Sequence, residues 1–141
     1  MSAEAEARSR GILDTSTVIH LEGLPDARDL PAEPVITAVT LAELAVGPLV
    51  ARDDEERARR QANLQQAEAD FVPLPFDAEA ARAFGAVAAS LRDAGRKATA
   101  RTFDSMIAAI AIANGLPVHT CNPGDFEGIE RLEVVAVTVP D

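Results

Sequence analysis

Thr102-Phe103-Asp104-Ser105-Met106-Ile107-Ala108-Ala109-Ile110-Ala111-Ile112-Ala113-Asn114-Gly115-Leu116-Pro117-Val118-His119-Thr120 is the stretch from which the fold is read. Residues 102–114 are predicted to form a strongly apolar helix. Phe103, Ile107, Ile110 and Ala111 share one stripe of it, because positions three or four apart lie on one helix face. Gly115 stops that helix, since glycine accepts the backbone conformation found just past a helix end. Leu116 to Thr120 then reads as a strand. Helix, glycine stop and apolar strand in succession form the repeating unit of a parallel sheet covered on both faces.

The alternation continues on either side of this unit. Upstream, Asp77 caps a helix with Phe84, Val87, Ala88 and Leu91 on one face, and Gly95 ends it. Arg96 to Ala100 is a basic connector, and Phe71 to Leu74 is a short extended stretch. Residues 51–70 form a long charged helix supported by Glu55/Arg59 and Glu56/Arg60, each pair four apart. Its apolar face is thin, mostly Ala with Leu64, as in a solvated helix or one awaiting a partner. Thr40 begins a further helix with Leu41, Leu44 and Ala45 on one face, and Gly47-Pro48 stops it. Val35 to Ala38 is a strand preceded by a loop punctuated by Pro25, Pro31 and Pro34. Arg10 to Asp14 is the first strand, and Thr15 to Leu21 opens the first helix. Downstream, Val134 to Val139 is the last strand. The expected fold is therefore α/β, with a parallel-rich sheet of four to five strands flanked by helices on both faces. A flexible polar leader over residues 1–10 precedes one domain over 11–141.

Composition narrows the class. The chain has 141 residues, 13 Lys plus Arg against 23 Asp plus Glu, and a net charge of −10. That length suits one domain, able to bury ~68–70% of its unfolded surface without a disulfide or structural metal. Cys121 is the only cysteine, which excludes a disulfide scaffold and a cysteine-rich zinc site. The N-terminus has no apolar segment of a secretory signal, and no run of ~18 apolar residues spans a membrane. A cytoplasmic location is expected. The charge excludes a domain that grips nucleic acid by bulk positive potential, but not a nuclease whose positive charge is a bound cation.

Four acids stand at expected element boundaries: Asp14 after the first strand, Glu43 and Asp104 in the first turns of helices, and Asp125 just past a strand. In open α/β sheets, ligands bind beyond the carboxyl ends of the strands. All four can converge there. Two carboxylates ~4 Å apart repel by ~4 kcal/mol at an effective dielectric of 20. A hard divalent cation reverses that cost, and Mg²⁺ or Mn²⁺ takes oxygen ligands while leaving places for phosphate oxygens. Each acid also admits a local role. Thr40-Leu41-Ala42-Glu43 fits a capping box, Asp104 complements a helix dipole, Asp125 fits turn chemistry, and Asp14 can cap the helix after it.

Ile12-Leu13-Asp14-Thr15-Ser16, Thr40-Leu41-Ala42-Glu43-Leu44, Phe103-Asp104-Ser105-Met106-Ile107-Ala108-Ala109 and Thr120-Cys121-Asn122-Pro123-Gly124-Asp125-Phe126 resemble the successive motifs of PIN-domain ribonucleases. Their order and spacing most resemble the VapC toxins of bacterial type II toxin–antitoxin pairs, over roughly residues 11–138. The resemblance implies a PIN-like fold and a Mg²⁺- or Mn²⁺-dependent endoribonuclease with Asp14, Glu43, Asp104 and Asp125 in an acidic pocket. It implies direct metal contact by Asp14 and Asp104, with Glu43 and Asp125 acting through water or a second ion. Ser16, Thr120 and Asn122 match polar positions lining such pockets. It also implies an RNA substrate, a homodimer and a cognate antitoxin that blocks the site. Two features depart from the commonest pattern: the leader is longer, and Cys121 stands where an Arg is frequent.

Arg92, Arg96, Lys97 and Arg101 make a basic strip beside Asp104, suited either to RNA phosphates or to a solvated connector. Arg101, nearest to Asp104, is the first candidate, followed by Arg96 and Lys97. His20 and His119 lack any ligand spacing around them and are expected to pack or to sit at the surface, and Cys121 is expected to be structural. Segment 51–70 is a candidate antitoxin surface. Few aromatics leave little base stacking, so shape and phosphates would carry RNA recognition. A haloacid-dehalogenase-type phosphatase needs an acid where Ser16 stands. A receiver-type module needs a Lys on a late strand, whereas the lone Lys97 lies between helices. The alternatives that remain are an RNA-processing PIN nuclease without an antitoxin and a catalytically silent PIN-fold binding module.

Overall fold

The computed structural model describes residues 10–24 and 29–139. The leader expected over residues 1–10 lies outside these apart from Arg10, which opens a strand rather than closing a leader. Pro25 of the expected loop also lies outside them.

Strands β1 (Arg10–Leu13), β2 (Glu33–Val35), β3 (Val118–Thr120) and β4 (Val134–Ala136) form one sheet in the order β2-β1-β3-β4, and all three pairings are parallel. Among the described residues five α-helices accompany it: α1 (Thr15–His20), α2 (Ala38–Val46), α3 (Asp54–Asp70), α4 (Ala78–Asp93) and α5 (Thr102–Asn114). Neighbouring side chains on a strand point to opposite faces. Ile12 accordingly joins a core with Val87, Leu91, Ile107 and Ile110 of α4 and α5. Leu13 joins a second core with Val18, Leu44 and Ala67 of α1, α2 and α3. The sheet is thus covered on both faces, as an all-parallel sheet must be.

The helix at 102–114 has the bounds expected, and Gly115 takes the left-handed conformation (φ 65°) that ends it. Its stripe is shorter than expected. Ile107, Ile110 and Ala111 are fully buried, but Phe103 in the first turn is 52% exposed, because it lies ahead of the residues packed into the core. Glu55–Arg59 and Glu56–Arg60 pair along α3 as their spacing requires.

Two boundaries differ in ways that matter for the site. The second strand covers Glu33–Val35, not Val35 to Ala38. β2 is an edge strand, where Pro34 without an N–H is tolerated. Beyond it, Thr37 forms a single bridge to Leu74, so Phe71 to Leu74 is extended as read. Thr37 also caps α2, its hydroxyl accepting from the Thr40 N–H at 3.2 Å. The helix therefore starts before Thr40, the capping box does not form, and Glu43 lies beyond the first turn. At its end, Gly47-Pro48 does not stop the winding, which continues as a 3₁₀ turn through Val50. The last two strands are shorter than read. β3 starts after Pro117, which has no N–H to donate, and β4 ends at Ala136.

The strand order reverses between β1 and β3. Such a switch point leaves a crevice at the strands' carboxyl ends. Asp14 follows β1 there, and the 3₁₀ turn Pro123–Phe126 follows β3 with Asp125 in it.

Candidate functional site

Asp14 is 3% exposed and caps α1. One carboxylate oxygen accepts from the Thr17 N–H (3.1 Å) and from the hydroxyls of Thr17 and Ser16 (2.8 Å each). The other accepts from the Thr120 hydroxyl at 2.6 Å, across the β1/β3 switch point. Thr120 in turn accepts from the Asn122 backbone N–H at 2.9 Å. Asp14 therefore serves as a helix cap, the local role its sequence allows, and faces the crevice as well. Of the expected pocket residues, Ser16 and Thr120 bond its carboxylate directly. Asn122 reaches the pocket through its backbone.

Glu43 projects from the middle of α2. Its Oε1 accepts from the Thr15 hydroxyl at 2.7 Å, and Thr15 Oγ1 also lies 3.1 Å from Thr40 Oγ1. Burial raises the Glu43 pKa, and the nearby Asp14 charge adds to the rise, while the Thr15 hydrogen bond opposes it. Asp104 sits in the first turn of α5. Its pKa is pushed up to about 6, first by burial and then by the charges of Asp125, Glu43 and Asp14, against the pull of Arg101. The four acids are thus electrostatic neighbours, although they come from elements spread over the whole chain. Among the described residues, no three His, Cys, Asp or Glu side chains are grouped so as to hold one metal ion.

Arg101 forms an ion pair with Asp125. The Arg96 guanidinium donates to the carbonyls of Glu127 (2.7 Å) and Gly124 (3.3 Å). Arg96, Lys97 and Arg101 line a recess of about 370 Å³ together with Asp125 and Ser105. The basic strip therefore adjoins the acids, with two of its cations engaged by the turn after β3.

His20 is exposed, its Nδ1 2.8 Å from the Ser16 carbonyl. His119 is buried, with Nδ1 2.8 Å from the Asp29 carbonyl and Nε2 unpartnered. Neither ring meets an acid of the site. Cys121 Sγ lies 3.7 Å from Thr17 Oγ1, a hydrogen bond in which either atom can donate. Sequence reasoning missed Thr15 and Thr17, which hold Glu43 and Asp14. The available signal was hydroxyls at the first and third positions after a capping acid, in Asp14-Thr15-Ser16-Thr17.

Residues 12–132 match the PIN domain family. Ribonuclease VapC5 of Mycobacterium tuberculosis is 39% identical over 132 residues, spanning 90% of this chain and 95% of that protein. Ribonuclease VapC1 of Rickettsia felis is 30% identical over 133 residues, spanning 92% and 98%. Among solved structures, VapBC-5 of M. tuberculosis, a member of the VapBC family of toxin–antitoxin systems, superposes with a TM-score of 0.79 at 37% identity, over 92% of this chain and 99% of that one. DNA-bound VapBC from Salmonella typhimurium superposes with a TM-score of 0.73 at 26% identity, over 90% and 97%.

Proposed function

This chain belongs to the PIN-domain family, and from that premise we propose that it is a Mg²⁺- or Mn²⁺-dependent endoribonuclease and the toxin of a toxin–antitoxin pair. The observation that carries the reading is the placement of Asp14 after β1 and Asp125 after β3, on either side of the switch point, with Asp104 close enough that burial and then the charges of Asp125, Glu43 and Asp14 raise its pKa. Three further carboxylates act on Asp104 with Arg101 as the opposing cation, a surplus of negative charge that a bound cation relieves.

The donor chemistry fits such an ion. The set is all oxygen, and Mg²⁺ typically takes one or two carboxylates and keeps its waters, so no three acids need converge on one point. Asp14 and Asp104 are assigned to direct contact, and Glu43 and Asp125 to contact through water or a second ion. When bound, the ion supplies Lewis-acid polarisation of a phosphodiester and a lowered pKa for water. The chain's own groups prepare the rest. Ser16, Thr17 and Thr120 fix the Asp14 carboxylate. Thr15 aims Glu43, whose raised pKa suits it to orient the attacking water and accept its proton. Asn122 completes the pocket wall. Arg101, Arg96 and Lys97 are assigned to RNA phosphates on the Asp125 side.

The relatives are named ribonucleases and the structural neighbours are toxin–antitoxin assemblies, which supports RNA as substrate and an antitoxin as partner. A homodimer is part of the proposal, with Val46, Leu49 and Val50 as exposed apolar surface available to it. No helix among the described residues is long and apolar enough to cross a membrane. The test is incubation of purified protein with total RNA in Mg²⁺, Mn²⁺ or EDTA, followed by mapping of the new ends. New ends should form with either metal and not in EDTA. Asp104→Asn should cut at least ~10²-fold more slowly, since direct electrostatic contacts in active sites are worth that much. Growth arrest on expression should be relieved by the same substitution. Unchanged cleavage by Asp104→Asn would exclude the assigned site.

A further inference from the structure

The acid cluster has two flanks. On one, Asp125 borders the recess lined by Arg96, Lys97 and Arg101. On the other, Glu43 borders a second cavity of about 260 Å³, with Thr15, Ile19, Leu44, Arg60 and Asn63 around it. Resting on the nuclease reading above, we propose that this second cavity is a nucleobase subsite, which selects where a single-stranded RNA is cut.

Its chemistry matches one base. Ile19 and Leu44 give apolar walls. Arg60 gives a fixed plane, because one guanidinium nitrogen donates to the Gly47 carbonyl at 2.8 Å and another pairs with the buried Glu56. Its stem lies against Gly47, where a Cβ would come within 3.3 Å of Arg60 Cδ. A guanidinium held flat in this way stacks on a base face without losing further side-chain freedom. The chain has no Trp or Tyr, so few other planes can serve. Asn63 is half-buried beside it, and its amide can donate to and accept from a base edge at once, the pattern that distinguishes one base from another. Bases of single-stranded RNA are read by stacking and edge contacts of this kind.

The two flanks also give the chain a direction. A neighbouring phosphate lies among Arg96, Lys97 and Arg101, the scissile phosphate lies over the acids, and the base on the far side enters beside Arg60 and Asn63. The cut then falls at a fixed offset from a preferred base. The cavity adjoins a larger groove of about 510 Å³ that shares Ile19 and Asn63, where a protein segment is the competing occupant.

The test uses an RNA pool of randomised sequence, cut by the full chain in Mg²⁺ or Mn²⁺, with every new end sequenced. The wild type should show one enriched base at a fixed offset. Asn63→Ala should reduce that enrichment by roughly tenfold, the equivalent of one hydrogen bond to a base edge, and leave other offsets unchanged. Asn63→Asp should change which base is preferred. Arg60→Lys, which keeps the charge but loses the plane, should also flatten the preference. Cleavage with the same base preference in all three variants overturns the subsite and leaves the nuclease reading intact. No cleavage by the wild type in either metal overturns both. If Asn63→Ala leaves the preference unchanged and weakens only inhibition by a co-expressed antitoxin, the cavity belongs to a protein partner and the subsite is overturned.

Discussion

Asp104 ties stability to the chemistry of its site. Its pKa rises from 3.8 in the free side chain to about 6 in the fold. The folded chain therefore holds that proton more tightly than the unfolded one. The resulting stabilisation is complete below about pH 4 and is lost as the pH rises through about 6. Metal-free protein should thus melt at a higher temperature near pH 5 than near pH 7.5 in a calorimetric scan. Glu43 shifts in the same direction and adds to the difference. Asp104→Asn should remove most of it and gain on the order of 1 kcal/mol near pH 7.5, a figure reduced from the full shift because the group is only half-buried. If Asp104→Asn keeps the wild-type pH dependence, the acids are not coupled as described. Asp14, Asp104 and Asp125 stood out as candidates because carboxylates at element ends are conspicuous, whereas Glu43 was singled out by a first-turn position that the fold moves to mid-helix. Thr15 and Thr17 were not, because an ordinary hydroxyl becomes informative only beside its partner, and Thr15's partner Glu43 is 28 positions away. Arg101 was read as a phosphate contact, and its pairing with Asp125 depended on how the turn after β3 folds back.

At the scale of elements, the approach of β1 to its neighbours depends on Gly11. A Cβ there would lie 2.4 Å from Nε2 of the buried His119 ring and 3.3 Å from Cβ of Pro31. The ring is held near the Asp29 carbonyl by Nδ1, so it cannot swing aside freely. Gly11→Ala should therefore destabilise the protein by ~1–3 kcal/mol, as overpacked cores do, seen as a lower urea midpoint. An unchanged midpoint would mean the ring moves at no cost. The same scale shows which elements were legible. Helix α5 declares itself, since its apolar run and Gly115 stop agree with each other. Helix α2 was misplaced because Thr37 and Thr40 are both able caps, and the choice between them is made by the bridge from Thr37 to Leu74. β2 was misplaced because Pro34 reads as loop until the strand is known to be an edge.

For the molecule as a whole, the proposed function raises the question of how a chain of net charge −10 would hold a polyanion. Long-range attraction is absent, so binding has to come from a few local cations and whatever ion the acids hold. Arg96, Lys97 and Arg101 line one recess, and Arg96 and Arg101 are already engaged by protein oxygens. The number of phosphates neutralised should be small, about two or three. For single strands the slope of log K against log salt is about −0.7 per phosphate neutralised. Anisotropy titrations of labelled single-stranded RNA with Asp104→Asn protein, which should bind without cutting, are then expected to give a slope near −2. Replacing Arg96, Lys97 and Arg101 together with Ala should bring the slope towards zero and weaken binding. A slope steeper than about −4 for the Asp104→Asn protein would require phosphate contacts beyond this recess. A triple variant with an unchanged slope would place the RNA backbone on another face. A slope that shallow would also bear on inhibition by the proposed antitoxin, because a partner covering so few cations would displace RNA by occupying the crevice rather than by outcompeting its charge.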